Sequence, residues 1–196
     1  MVRRAREKER SYKIRKREFL KESPFYVIIV LFGNDLRIMK KIGFTIGKFA
    51  PLHKGHQYLI ETALKEMEEV YVVVYETDLI DIPLNQRADW IKKLYPNVHV
   101  ILAENPPKKY GMDEESVKIQ TDYLKKVLGD VPGTHFFSSE EYGKFVARDL
   151  NVKNRVVDYK REYIPISGTK IRANLDKYAR YIDKIVYDDI KTNKKS

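Results

Sequence analysis

From Ile42 onward, short β-rich runs alternate with stretches of helical period, and this alternation restricts the chain to an α/β domain built on a mainly parallel sheet. The runs are IGFTIG at 42–47, VYVVVY at 70–75, VHVILA at 98–103, HFFS at 135–138 and RVVDY at 155–159. The unbroken apolar character of VYVVVY suits a strand covered on both faces. Leu59, Ile60, Ala63, Leu64 and Met67 repeat at helical spacing, as do Leu84, Ala88, Ile91 and Leu94. Val117, Thr121, Leu124 and Leu128 form a third stripe, with Asp113 as its expected cap. Tyr142, Phe145, Val146 and Leu150 form a fourth, preceded by Ser138-Ser139-Glu140-Glu141, which reads as a capping box. A last amphipathic helix is expected over Tyr178–Ile190. The expectation is a five-stranded sheet with flanking helices and a C-terminal helix. Residues 39–196 would form this domain.

The turn after the first of these strands is unusual. Gly47-Lys48-Phe49-Ala50-Pro51-Leu52-His53-Lys54-Gly55-His56 leads directly into a helix. Parallel sheets place ligands at the carboxyl ends of strands, and a helix amino terminus offers N–H groups and a positive dipole end to an anion. His53 and His56, three residues apart, fall on one side of a helical turn. Gly47 and Gly55 would allow close backbone approach. The chain has no Cys and only His99 and His135 besides this pair, a poor supply of zinc ligands. It contains no GxxxxGK[ST] loop, and this turn has no GxGxxG.

The net charge of +10 from 38 Lys+Arg against 28 Asp+Glu points to a polyanionic partner. Its placement is uneven: residues 1–38 carry 11 Lys+Arg against 5 Asp+Glu, leaving 27 against 23 for the remainder. The basic stretch could be an arm for nucleic acid or a membrane surface, an extra strand with a solvated helix before it, or a leader from a mis-assigned start, with Met39 as the natural beginning. The apolar run Phe25–Phe32 is far shorter than the roughly 20 residues a bilayer requires. It is also a poor secretory signal. Without membrane span, signal or cysteine, the expectation is a cytoplasmic protein. The informative positive groups of the second part are few and placed, which points to a small polyanion and argues against nucleic acid.

GKFAPLHKGH resembles the HxGH motif of the nucleotidylyltransferase superfamily, and Ile166-Ser167-Gly168-Thr169-Lys170-Ile171-Arg172 resembles its second motif, ISxTxIR. With QRADWIKKLYP, FFSSEEYG and VVDYKREYIPISGTKIR, the chain from Ile42 to Ile190 is most similar to nicotinamide-nucleotide adenylyltransferases of the bacterial bifunctional regulator type. The resemblance implies a Rossmann-like nucleotidylyltransferase fold. It also implies transfer of an adenylyl group from ATP to nicotinamide mononucleotide, with Mg2+ accompanying the ATP. His53, His56 and Arg172 would take the catalytic positions. Gly47, Lys48, Phe49, Gly55, Ser139, Ser167 and Thr169 would bind the nucleotide, and Arg87, Trp90, Tyr110 and Arg161 are candidates for the acceptor. No metal ligand can be named from the sequence. The resemblance leaves a homo-oligomer open, since family members commonly associate.

The chemistry suits these residue types. Two anionic reactants must be brought together while charge grows on departing pyrophosphate, a task for positioning and fixed positive groups without a covalent intermediate. A phosphate neighbour favours protonated histidine, and arginine is a permanent forked donor. The segment 104–123 lacks the tryptophan that family members carry there, Gly168 stands where many relatives have Ser, and the chain has neither the helix-turn-helix nor the P-loop kinase domain of the bifunctional proteins. Only the transferase activity would carry over. Other acceptors, such as a polyol phosphate with CTP, phosphopantetheine or flavin mononucleotide, remain open, as does a non-catalytic nucleotide- or RNA-binding module.

Overall fold

The computed structural model describes residues 28–32, 35–109 and 111–193. The chain separates into two compact units, Met1–Lys40 and Lys41–Ser196. In the first, β1 (Ile28–Phe32) pairs antiparallel with β2 (Asp35–Met39). Of the three readings left open for residues 1–38, the extra strand in the apolar run is present as β1, and it is joined by a second that none of them included. The basic residues before 28 lie outside the described residues.

The second unit is a five-stranded, all-parallel sheet in the order β5-β4-β3-β6-β7. Its strands are β3 (Ile42–Gly47), β4 (Glu69–Tyr75), β5 (His99–Ala103), β6 (His135–Ser138) and β7 (Lys153–Val156). The helices are α1 (Lys54–Glu66), α2 (Leu84–Leu94), α3 (Glu114–Leu128), α4 (Gly143–Asp149), α5 (Gly168–Ala173) and α6 (Lys184–Asn193). The chain builds outward from β3 to β5, then returns to place β6 on the other side of β3. Strand order therefore reverses at β3, and the crevice outside its carboxyl end is where such sheets bind ligands.

Strand β4 shows why its sequence is uniformly apolar. Val70, Val72 and Val74 pack with Ile60, Ala63, Trp90, Ile91 and Val186 on one face, while Val73 and Tyr71 join Phe44, Leu124 and Val146 on the other. Both faces are covered by helices, so neither has the alternating polar residues of a half-solvated strand. The expected cap of α3 is present: the Asp113 carboxylate accepts the Ser116 amide at 2.9 Å and its hydroxyl at 2.6 Å.

Three expectations are corrected. The serines before α4 form no capping box: Tyr142 is the cap residue and makes no side-chain cap bond, while the Ser138 hydroxyl is turned to the Glu140 carbonyl at 3.4 Å. Strand β7 covers 153–156 and ends before Asp158, which has φ +49° and whose carboxylate accepts the amides of Tyr163 and Ile164. Those two bonds fold residues 158–164 into a loop, ending the extended backbone that RVVDY suggested. The continuous helix expected over 178–190 is divided into a short 3-10 turn at Ala179–Tyr181 and helix α6, with the Asp183 carboxylate accepting the Ile185 amide between them.

Every strand of the parallel sheet lies between residues 42 and 156, and the β1–β2 hairpin is a separate sheet. A chain beginning at Met39 is therefore expected to unfold cooperatively with the thermal midpoint of the full chain. A broadened or lost calorimetric transition would show that residues 1–38 are needed to fold the parallel domain.

Candidate functional site

After Gly47 the backbone turns sharply. Phe49 has φ +46°, Ala50–Pro51 is a cis bond, and His53 (φ −140°, ψ 170°) is the cap residue of α1. Its Nδ1 accepts the amides of Gly55 at 3.1 Å and His56 at 3.4 Å. A Cβ on Gly55 would lie 3.0 Å from the His53 ring, and one on Gly47 3.2 Å from the Phe49 ring. The space these glycines leave is thus filled by the protein's own aromatic rings, which differs from the expectation that it would admit a nucleotide. The imidazoles of His53 and His56 stack with centroids 3.7 Å apart and 16° between planes, and Phe49 meets His56 edge-on at 4.9 Å. The three-residue spacing thus does bring both rings to one place.

The hydrogen bonds determine the protonation of this pair. Because His53 Nδ1 accepts two amides, its one proton resides on Nε2. Burial above all, then the charges of Arg161 and Arg172, lower the His53 pKa to about 4. Burial, the neighbouring His53 and Arg161 hold His56 well below the ordinary histidine value. Both rings are therefore neutral at pH 7 in the free protein, and the doubly donating cation expected from the sequence belongs to the site with a phosphate beside them. Two of the first-turn amides of α1 are already occupied by His53, so less of the helix terminus faces an anion than the motif alone implied. His56 Nδ1, Thr45 Oγ1 and Gln57 Oε1 are buried with no hydrogen-bond partner among the described residues.

The second segment closes on the first. Ser167 caps α5, its hydroxyl accepting the Lys170 amide at 3.3 Å. Arg172 donates from Nη1 to the Ala50 carbonyl at 2.6 Å, across 122 residues of sequence, and from Nη2 to the Thr169 hydroxyl at 3.3 Å. A Cβ on Gly168 would lie 3.2 Å from that carbonyl and 3.0 Å from Arg172 Nη1, so α5 packs tightly against the loop at this position. Arg161, at φ +55°, stands 3.8 Å from the Glu140 carboxylate.

These segments enclose a cleft of about 460 Å³ at the carboxyl ends of β3 and β6. Gly47, Lys48, Phe49, His53, Gly55, His56, Ser139, Arg161, Ser167, Thr169 and Arg172 all line it. Two of the residues considered for the acceptor are placed elsewhere. Arg87, 1% exposed, donates to the backbone carbonyls of Ile82 at 3.2 Å, Tyr75 at 2.8 Å and Lys48, and burial lowers its pKa. Trp90 is fully buried in the core, its indole N–H donating to Asp189 on α6 at 2.7 Å. Tyr110 lies outside the described residues. Tyr75, Gln120 and Asp158 also line the cleft and were not singled out from the sequence. The signal for Gln120 was present: it is a polar residue on the stripe formed by Val117, Thr121 and Leu124.

Among the described residues no cluster of three His, Asp or Glu side chains could hold a metal ion. Asp158 in the cleft already spends both carboxylate oxygens on the amides of Tyr163 and Ile164. Such a donor set fits a cation that arrives on phosphate oxygens and keeps much of its water, as Mg2+ does. Among the described residues no helix is long and apolar enough to cross a membrane.

A Rossmann-like parallel sheet with this cleft at its switch point is the fold of the nucleotidyltransferases. The family model of the citrate lyase ligase C-terminal domain matches residues 42–159, and the chain belongs to that family. The chain is 29% identical over 164 residues to the trifunctional NAD biosynthesis/regulator protein NadR of Salmonella typhimurium, and equally to that of Escherichia coli; in each case 74% of this chain and 40% of the relative are covered. The chain thus spans well under half the length of these relatives. A phosphopantetheine adenylyltransferase of Mycoplasma capricolum is 37% identical over 70 residues, covering 33% of this chain and 50% of that protein. Two solved structures share the fold. One is a NadR protein in complex with NAD and AMP-PNP, with a TM-score of 0.55 and 22% identity over 75% of this chain and 46% of that one. The other is a bifunctional NMN adenylyltransferase/ADP ribose pyrophosphatase from Francisella tularensis, with a TM-score of 0.55 and 16% identity over 81% of this chain and 50% of that one.

Two predictions follow the geometry. The unfolded chain takes up the His53 proton near pH 6.5 and the folded one only near pH 4, so this contribution to stability is full above pH 6.5 and is lost as pH falls between those values, by up to about 3 kcal/mol. A histidine NMR titration of the free protein should place His53 near 4; a value of 6.5 would contradict the buried, amide-bound ring. Arg87→Met should leave three backbone carbonyls without their donor and destabilise the fold by about 2–4 kcal/mol in urea unfolding. A change below about 0.5 kcal/mol would return Arg87 to the list of acceptor contacts.

Proposed function

We propose that this domain transfers AMP from ATP to nicotinamide mononucleotide, giving NAD and pyrophosphate by in-line attack without a covalent intermediate. The observation that carries this reading is the joining of two distant segments by Arg172 and Ala50, which gathers two neutral imidazoles, Lys48, Arg161 and Arg172 around one cleft at the switch point. NadR similarity over 74% of the chain supports the acceptor. A second reading keeps the reaction and changes the acceptor to phosphopantetheine, favoured by the Mycoplasma relative.

The residues suit a triphosphate in a specific way. His53 offers an Nε2–H donor whose partner nitrogen is held by two amides, so the ring is oriented before substrate arrives. Arg172 keeps its fork beside the α5 cap, and Lys48 and Arg161 add positive charge where two anions must meet. Phosphate charge beside the histidines would raise their pKa values from the depressed values of the free protein. Magnesium, when bound with ATP, supplies neutralisation of phosphate charge. We place the activity in the cytoplasm, where ATP and the mononucleotide are both at hand.

The test is pyrophosphate release by the full chain with magnesium, ATP or CTP and a panel of phosphorylated acceptors. Release with ATP and a pyridine mononucleotide supports the first reading, release with phosphopantetheine the second, and salt-sensitive RNA binding without release opposes both. His53→Ala or His56→Ala is expected to lower turnover about 100-fold or more with the fold retained, as for loss of one preorganised donor. Near-normal rates in either purified variant would remove that histidine from the reaction.

A further inference from the structure

Asp158 follows the last strand and lines the cleft, a half-buried carboxylate in a place that must take up anions. By charge alone it works against that task. Its oxygens are used on its own loop: Oδ1 accepts the Tyr163 amide at 3.1 Å, Oδ2 the Ile164 amide at 2.9 Å, and its carbonyl the Arg161 amide at 2.8 Å. One residue thus closes the segment 158–164 on itself. The closed loop is tied to the elements on either side. The Val157 amide donates to the Ser138 carbonyl at the end of β6 at 2.8 Å, and the Ile166 amide donates to the Ile164 carbonyl at 2.7 Å, just before the Ser167 cap of α5.

The loop holds an unfavourable backbone. Asp158 at φ +49° and Arg161 at φ +55° are both left-handed. Aspartate tolerates that region through its short polar side chain, whereas arginine gains nothing there, and such a conformation persists only where surrounding bonds over-determine it. The consequence is the placement of a guanidinium. Arg161 lines the cleft and stands 3.8 Å from the carboxylate of Glu140, another lining residue. Burial lowers the pKa of His53 and His56 most, and the charge of Arg161 lowers both further.

We infer that Asp158 is a positioning residue for the triphosphate: by accepting the amides of Tyr163 and Ile164 it fixes the loop that presents Arg161 to the cleft. This rests on the proposed use of ATP and adds to it the residue that aims one of the phosphate-facing cations. The carboxylate acts through Arg161, with no contact of its own to substrate or metal.

The experiment uses the full chain with magnesium, ATP and nicotinamide mononucleotide, and two substitutions. Asp158→Asn suits the left-handed backbone and keeps one acceptor oxygen, while Asp158→Glu keeps the charge and moves it by one methylene. Both are expected to lower kcat/KM for ATP about 10-fold or more, and to add no further loss in an Arg161→Ala background. The free protein supplies a second readout, the His53 NMR titration. Removing the Asp158 charge by itself would lower the His53 pKa, whereas displacing Arg161 raises it, so His53 should titrate higher in both variants, as in Arg161→Ala. Losses additive to Arg161→Ala, activity restored by raising magnesium, or a His53 pKa that falls or stays in both variants would overturn the assignment and leave the proposed function standing. Absence of turnover by the unaltered protein with every acceptor overturns the proposed function instead, and the His53 titration, which needs no substrate, still decides whether Asp158 places Arg161.

Discussion

The bond from the Arg172 guanidinium to the Ala50 carbonyl is the contact on which the site depends, because it joins segments 122 residues apart into one wall. Neither segment makes a site alone. The turn after β3 provides stacked imidazoles and a helix start, while the short helix α5 provides a capped first turn and the arginine itself. Sequence order keeps them remote, and the parallel sheet brings them together by returning the chain to the other side of β3. Gly168 belongs to the same constraint, since a Cβ there would lie 3.2 Å from the Ala50 carbonyl, a tight contact that α5 would have to ease.

Burial then sets the electrostatics. The imidazoles are withdrawn from water and placed near Arg161 and Arg172, so both are neutral when the cleft holds no anion. Stacking two protonated rings at 3.7 Å would carry a large repulsion, and the low pKa values avoid it. The fixed charge of the site is carried by arginine, whose guanidinium stays protonated even when partly buried. Histidine contributes orientation: His53 is held by the same two amides that it caps, and loop geometry holds His56 against Phe49.

Much of this was legible in the sequence. The five strand runs and the helical stripes recorded the period that a doubly covered sheet imposes, and HFFS and Ile42–Gly47 coincide with their strands residue for residue. Nine candidate residues taken from the two motifs line the cleft, and Ser139 and Arg161, taken from other segments, line it too. What the sequence concealed was direction. Arg87 carries the same charge whether it faces a ligand or three carbonyls, and only the fold shows the latter. Trp90 sits on an apolar stripe and buries as such, with Asp189 a full 99 residues away supplying its acceptor. Ser138–Glu141 has the residue types of a capping box, yet β6 extends through Ser138 and places its hydroxyl too early to cap α4. Strand β7 ended early for a similar reason: Asp158 found two amides beyond it, a local bond that spacing does not reveal.

The central claim is that residues 47–57 and 166–173 form one triphosphate site, and hydrogen exchange with a non-hydrolysable ATP analogue tests it without reference to the acceptor. On addition of the analogue and magnesium to the full chain, exchange should slow in both segments together, at the same analogue concentration. Protection of one segment without the other, or of neither while the analogue binds elsewhere, would contradict it.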